Sequence, residues 1–117
     1  MAVKQAGDIA LMPFPFTNLA NAKKRPVLLL RKLDNSHDDW LVCMISSQLH
    51  QFNPDLDWKL DSTHPEFAES GLKTSSVFRL SRIAVLDGSL LLGKLGTLPD
   101  TRLQNLKRRL AAWITES

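Results

Sequence analysis

Apolar residues recur with a period near two, in short runs separated by turn signals, as far as residue 96; beyond it they recur at helical spacing. A chain patterned in this way builds a sheet from many short strands and closes it with one helix. The expected architecture is mainly β (α+β), a small and strongly curved antiparallel sheet or barrel with a C-terminal helix packed across it. With 117 residues there is chain enough for one core, so residues 1–117 are expected to form a single domain. Hydrophobic residues at 44% and charged ones at 23% sit near the globular average, which excludes an intrinsically disordered chain.

Residues 9–12 read as the first strand, after which Pro13 and Pro15 impose an extended path poor in backbone donors, unable to continue in mid-sheet. Phe14 and Phe16 anchor that path on the core, and 17–24 is a polar loop. The second strand spans 27–33, apolar enough through Leu30 for burial on both faces, and the acidic stretch 34–39 is a tight turn. A third strand spans 40–46. The polar connection that follows holds a short strand at 57–60 and one helical turn within 62–70, capped by Ser62 or Thr63 and ended by Gly71.

Strands resume at 74–80 and 83–87, and Asp87-Gly88 is a turn signal. Residues 90–95 make the last strand, with Gly93 and Gly96 signalling a bulge or a tight exit. Thr97-Leu98-Pro99-Asp100 then has the parts of a helix start: a capping hydroxyl, a proline in the first turn and a carboxylate near the amino end. Leu103, Leu106, Leu110, Trp113 and Ile114 fall on one helical face, and Arg102, Lys107, Arg108 and Arg109 are expected to stay in water.

No apolar run approaches the ~20 residues of a membrane span. The first sixteen residues have one lysine and reach Asp8 and two prolines before any long apolar stretch, so no secretory signal is expected and the mature chain should begin at or near Met1. The single cysteine, Cys43, cannot form an intramolecular disulfide and lies in an apolar run, where it reads as a small buried hydrophobe. A reducing, cytoplasmic setting is the expectation that follows.

The net charge of +3 conceals a segregation by sign. Residues 1–32 carry six basic and one acidic side chain, 33–70 one basic and eight acidic, and 71–117 eight basic and three acidic, giving +5, −7 and +5. Two basic segments that fold together offer a polyanion one positive face, although short charge blocks are also ordinary solvated loops.

Familiar catalytic signatures are missing: there is no phosphate-binding glycine loop, no G-x-S-x-G elbow and no cysteine pair. His37, His50 and His64 stand far apart, none at helical spacing from another, and polar surface residues beside a helix start explain His64-Pro65-Glu66 better than a metal site, so neither a metal nor a cofactor is expected. Arg25 is the most informative charged residue. It follows Lys23 and Lys24 and precedes Pro26, which biases it away from helical dihedrals and limits the directions its side chain can take. A guanidinium so held presents a bidentate fork to a phosphate; a solvated basic tip ahead of a strand explains it as well. Ser46-Ser47-Gln48 closes the third strand, where hydroxyls either donate to a phosphoryl oxygen or bond the backbone to terminate the strand. Ser75, Ser76 and Arg79 form a second polar cluster, in which Arg79 is equally a snorkelling strand residue or a ligand contact.

Taken in order, G-D-I-A-L-M-P-F-P-F-T at 7–17, K-R-P-V-L at 24–28, C-M-I-S-S-Q at 43–48, S-G-L-K-x-S-S-V-x-R-L at 70–80 and G-K-L-G at 93–96 resemble the MazF/PemK family of toxins from type II toxin-antitoxin systems. The resemblance spans nearly the whole chain, and its most specific parts are the G-D start, the R-P opening a strand and the I-S-S-Q strand end. It implies a small SH3-like barrel with a C-terminal helix, a homodimer with RNA across the two subunits, and a metal-independent, sequence-specific endoribonuclease restrained by a cognate acidic antitoxin. Arg25 matches the family's catalytic arginine and Ser46 its catalytic threonine or serine. Lys23, Lys24, Ser47, Gln48 and Arg79 are the RNA-binding residues implied beside them, with the loops at 17–22 and 48–53 reading unstacked bases. One departure stands out: two residues after Arg79, where a branch of the family carries an aspartate proposed as general acid or base, this chain has Ser81. Two other functions remain open. The same barrel in related toxins grips a protein such as DNA gyrase without cutting anything, which would place function on Trp113 and Ile114; an inactive RNA-binding module is the third.

Overall fold

The computed structural model describes residues 4–14, 23–34 and 36–116. Its elements are β1 (Asp8–Phe14), β2 (Lys23–Lys32), β3 (Asp39–Ser46), β4 (Trp58–Leu60), the single turn α1 (Phe67–Ser70), β5 (Ser76–Asp87), β6 (Gly93–Thr97) and α2 (Asp100–Thr115). The strands form one antiparallel sheet in the order β4-β5-β3-β2-β1-β6, curled into a half-barrel with α2 across it, as the hydrophobic period implies. Pro15, Phe16 and the loop residues 17–22 lie outside the described residues.

Burial on both faces explains the near-continuous apolar runs of the central strands. Ile9, Leu28, Leu30, Cys43 and Ile45 point to one core, which α2 closes with Leu103, Leu106 and Leu110. Ala10, Met12, Val27, Leu29, Trp40, Val42 and Met44 point to a second core on the opposite face. Pro13 fits because β6 pairs with β1 only as far as Leu11, so the missing N–H falls where one side of the strand is already open. Cys43 is fully buried, and burial pushes its thiol up to about 12.

Several sequence expectations need correction. The segments 74–80 and 83–87 are one strand, not two. Cys43 pairs with Ile83 and Met44 with Arg79, so three residues of β5 bulge out opposite none of β3. The bulge sharpens the twist and swings the second half of β5 round. Ser81 and Arg82, the residues between the two expected strands, lie in that bulge together with Leu80. Residues 90–95 are likewise not a strand throughout: the Asp87 carboxylate accepts the Ser89 N–H at 2.9 Å, a 3₁₀ turn runs over Gly88–Leu90, and pairing resumes only in β6. The register shift opposite Ile9 and Ala10 leaves Leu95 bulged between Gly96 and Lys94.

The helix starts also differ. α1 begins after Glu66, not at Ser62 or Thr63, because Asp61 takes the Thr63 N–H at 3.1 Å and His64 Nδ1 takes that of Glu66 at 3.0 Å. Gly71 ends it in the left-handed region at φ 71°. At α2, Pro99 holds the cap position and Thr97 does not cap; its hydroxyl donates to the Gly7 carbonyl at 3.2 Å and ties the helix start to the opening of β1. Trp113 and Ile114 leave the core face and stand 49% and 61% exposed, because α2 runs on past the apolar surface that its first three turns cover. Two arginines of α2 are not simply solvated. Arg102 lies 4.4 Å from the Trp58 ring centre and pairs with Glu66 at 2.9 Å, and Arg109 donates to the Asp57 carbonyl at 2.9 Å.

Candidate active site

Where β2 and β3 leave the core, their apolar residues give way to polar ones. Val27 pairs with Met44, so the antiparallel register carried two residues further sets Arg25 level with Ser46. Both have the strand parity of Met44, which places them on one face of the sheet. Pro26 keeps that stretch extended and lacks the N–H a further ladder bond would need, which costs nothing because β3 pairs with β2 only from Val27 onward. Ser46 Oγ accepts the Gln48 N–H at 3.0 Å, turning the chain off the strand, and as acceptor in that bond the hydroxyl keeps its own proton to donate.

Arg25 and Ser46 line two adjoining cavities. The larger is a groove of about 400 Å³ with Leu11, Pro26, Leu72 and Leu95 as apolar walls and Ser47, Lys73 and Thr74 at its polar rim. The smaller, about 90 Å³, is a recess completed by Met44, Gln48 and Gln51. Among the described residues no carboxylate lines either one. The groove's far wall depends on α1 packing against β6 at two glycines: a Cβ on Gly71 would overlap the Leu95 carbonyl, and one on Gly96 would overlap the carbonyls of Glu69 and Ser70.

Of the residues singled out in the sequence, Arg25, Ser46, Ser47 and Ser76 come together in the groove, and Gln48 joins Arg25 and Ser46 in the recess. Lys23 and Lys24 are exposed at the start of β2, opposite Phe14 and Pro13, and line neither cavity. Arg79, opposite Met44, also lines neither; it donates from Nη1 to Gln51 Oε1 at 3.4 Å. The basic segments converge only in part. Arg25 and Lys73 share the groove, whereas Lys94 pairs with the buried Asp8 at 3.3 Å and Lys4 with Asp38 at 3.0 Å. Sequence reasoning did not assign Lys73 or Thr74 to the site, although Lys73 stands in the S-G-L-K stretch that carries the resemblance, and it did not single out Gln51 within 48–53.

Ser81 lies at the bulge of β5, where its N–H and its hydroxyl both donate to Asp57 Oδ1 at 3.0 Å. Asp57 is 1% exposed and also accepts the Asn53 N–H at 3.0 Å, so its carboxylate is a structural acceptor that joins the turn before β4 to β5. Among the described residues no group of three or more His, Cys, Asp or Glu side chains is placed to hold a metal ion, and no helix is long and apolar enough to cross a membrane.

The sequence model for the PemK-like, MazF-like toxin of type II toxin-antitoxin system matches residues 5–114. Among solved structures, the Mycobacterium tuberculosis toxin MazF-mt6 superposes with a TM-score of 0.68 over 94% of this chain and 98% of that one, at 17% sequence identity. No curated protein matches by sequence.

Proposed function

This chain belongs to the PemK-like, MazF-like toxins of type II toxin-antitoxin systems, and on that premise we propose that it is a cytoplasmic, metal-independent endoribonuclease acting on single-stranded RNA. The observation that carries the reading is the pairing of Arg25 and Ser46 at the junction of two cavities that, among the described residues, no carboxylate lines. A phosphodiester is an anion, and a site of donors without carboxylates is built to hold one.

RNA supplies its own nucleophile. The ribose 2′-hydroxyl gives its proton to solvent as its oxygen attacks the adjacent phosphorus, a 2′-O–P bond forms, the bond to the 5′-oxygen breaks, and that oxygen takes a proton from solvent, so that a cyclic phosphate and a 5′-hydroxyl result. Arg25 stabilises the charge that gathers on the non-bridging oxygens, and Ser46 donates a hydrogen bond that fixes the phosphate in line. DNA, lacking the 2′-hydroxyl, is not cut. The apolar walls formed by Leu11, Leu72 and Leu95 accept the faces of unstacked bases, while Ser47, Lys73 and Thr74 meet the backbone at the rim. The family's antitoxin, an acidic chain, competes for the same positive groove, and the toxin works as a homodimer.

Purified protein incubated with a long RNA, with and without chelator, tests this. Cleavage that survives chelation, leaves 5′-hydroxyl ends and disappears in Arg25→Ala supports it. The loss should exceed roughly a hundredfold, as for removal of an oxyanion donor, with Arg25→Lys a poor rescue because an ammonium lacks the planar fork. Ser46→Ala should lose less, since a neutral donor is the weaker of the two. Wild-type rates in Arg25→Ala sink the assignment. The exposure of Trp113 and Ile114 favours a second reading, a toxin that grips a protein such as DNA gyrase through the end of α2. Toxicity that persists in Arg25→Ala and vanishes in Trp113→Ala would decide for it.

A further inference from the structure

The recess beside Arg25 and Ser46 contains a residue whose orientation is dictated from behind. Gln51, at the end of the 3₁₀ turn Leu49–Gln51, lines the recess and accepts a hydrogen bond from Arg79 Nη1. A guanidinium has donors only. The Gln51 amide therefore has to turn its oxygen to Arg79, and the reverse orientation would set donor against donor. Its Nε2, with two hydrogens, is left for the recess. Arg79 itself lines neither cavity, and its buried Nε has no hydrogen-bond partner among the described residues.

Resting on the endoribonuclease reading, we propose that Gln51 is a third donor to the phosphoryl group, and that Arg79 is a positioning residue that aims it. The recess then presents the Arg25 guanidinium, the Ser46 hydroxyl and the Gln51 amide to one anion, three donors from the end of β3, the start of β2 and the turn between β3 and β4. Arg79 acts on the phosphate through Gln51, not by touching it. Its hydrogen bond decides which end of an amide the substrate meets.

Two readouts test this, one of them independent of cleavage. Inorganic phosphate titrated into the full chain should shift the Gln51 side-chain NH₂ resonances together with the Arg25 signals. Gln51→Glu, which keeps the shape and can still accept from Arg79, should weaken phosphate binding by about tenfold or more, because a carboxylate faces the anion. In single-turnover cleavage, Gln51→Ala and Arg79→Ala should each slow the chemical step by on the order of tenfold to a hundredfold, and the double variant should be no slower than the worse single one. Arg79→Lys, still a donor to the amide oxygen, should recover most of the Arg79→Ala loss. Additive losses, or Gln51 resonances that stay fixed while phosphate saturates the site, would overturn the proposal. If the wild-type chain cleaves no RNA, the functional reading fails, and the phosphate titration still decides the placement of Gln51.

Discussion

Installing the carboxylate that a branch of the family carries should damage this protein, and Ser81→Asp measures by how much. Ser81 Oγ lies 3.0 and 3.2 Å from the two oxygens of Asp57, whose side chain is buried. An aspartate there replaces a donor by a second anion. The hydroxyl-to-carboxylate bond contributes about 1.5–3 kcal/mol, and all of it is lost. Two unit charges about 4 Å apart repel by about 4 kcal/mol at the effective dielectric of a protein surface, and by about 1 kcal/mol if water screens them fully. Protonation sets an upper limit. Binding a proton at pH 7 to a carboxyl of ordinary pKa about 3.9 costs about 4 kcal/mol, after which the new side chain donates to Asp57 as the serine does. The expected destabilisation at pH 7 is therefore about 3–4 kcal/mol. The sign with pH follows from linkage. The pair holds a proton more tightly folded than unfolded, so the penalty is full above the folded-state pKa and fades as pH falls towards the unfolded value. At pH 5 the same limit is about 1.5 kcal/mol. Urea unfolding followed by the fluorescence of Trp40 and Trp58, at both pH values, checks this; Ser81→Ala serves as the control that loses only the hydroxyl bond. A variant as stable as wild type at pH 7, or a deficit that does not shrink at pH 5, would refute the reasoning. Cleavage should not rise in Ser81→Asp at either pH.

Gly96→Ala should cost roughly 1–3 kcal/mol, because the new methyl forces α1 away from β6, and cleavage should fall with it as the groove wall at Leu72 and Leu95 shifts. An unchanged urea midpoint would contradict that packing. The Cys43 thiol, pushed up to about 12 by burial, should resist alkylation at pH 8 in the folded protein and react once urea unfolds it. Since the folded thiol keeps its proton where the unfolded one has lost it, Cys43 should also contribute a loss of stability that begins near pH 9.0, where a free thiol ionises, and grows as pH rises towards 12. Native labelling as fast as that of the unfolded chain would show the thiol to be accessible.

Local rules account for much of what was legible. The period of the apolar residues is a property of the chain itself, so a curved sheet closed by one helix, the two-faced burial of 27–30 and the buried state of Cys43 could be read directly. Arg25 ahead of Pro26 and the hydroxyls after Ile45 also stood out, because a proline and a strand end constrain their neighbours within one or two residues. Long-range partners were not legible. A bulge depends on what lies opposite, and nothing in Ser81-Arg82 says that β3 passes them without pairing or that Asp57 will accept the serine's hydrogen bond. Arg102 and Arg109 read as solvent-facing because periodicity places a charge relative to its own helix, whereas Trp58, Glu66 and the Asp57 carbonyl arrive from elsewhere in the chain. Trp113 and Ile114 have the spacing of core residues, and only the extent of the sheet beneath α2 decides that they stay outside it. The same holds at the site: sequence marks Arg25 and Ser46 one at a time, while the cavities they share, and the arginine that turns Gln51 towards one of them, exist only once the strands are paired.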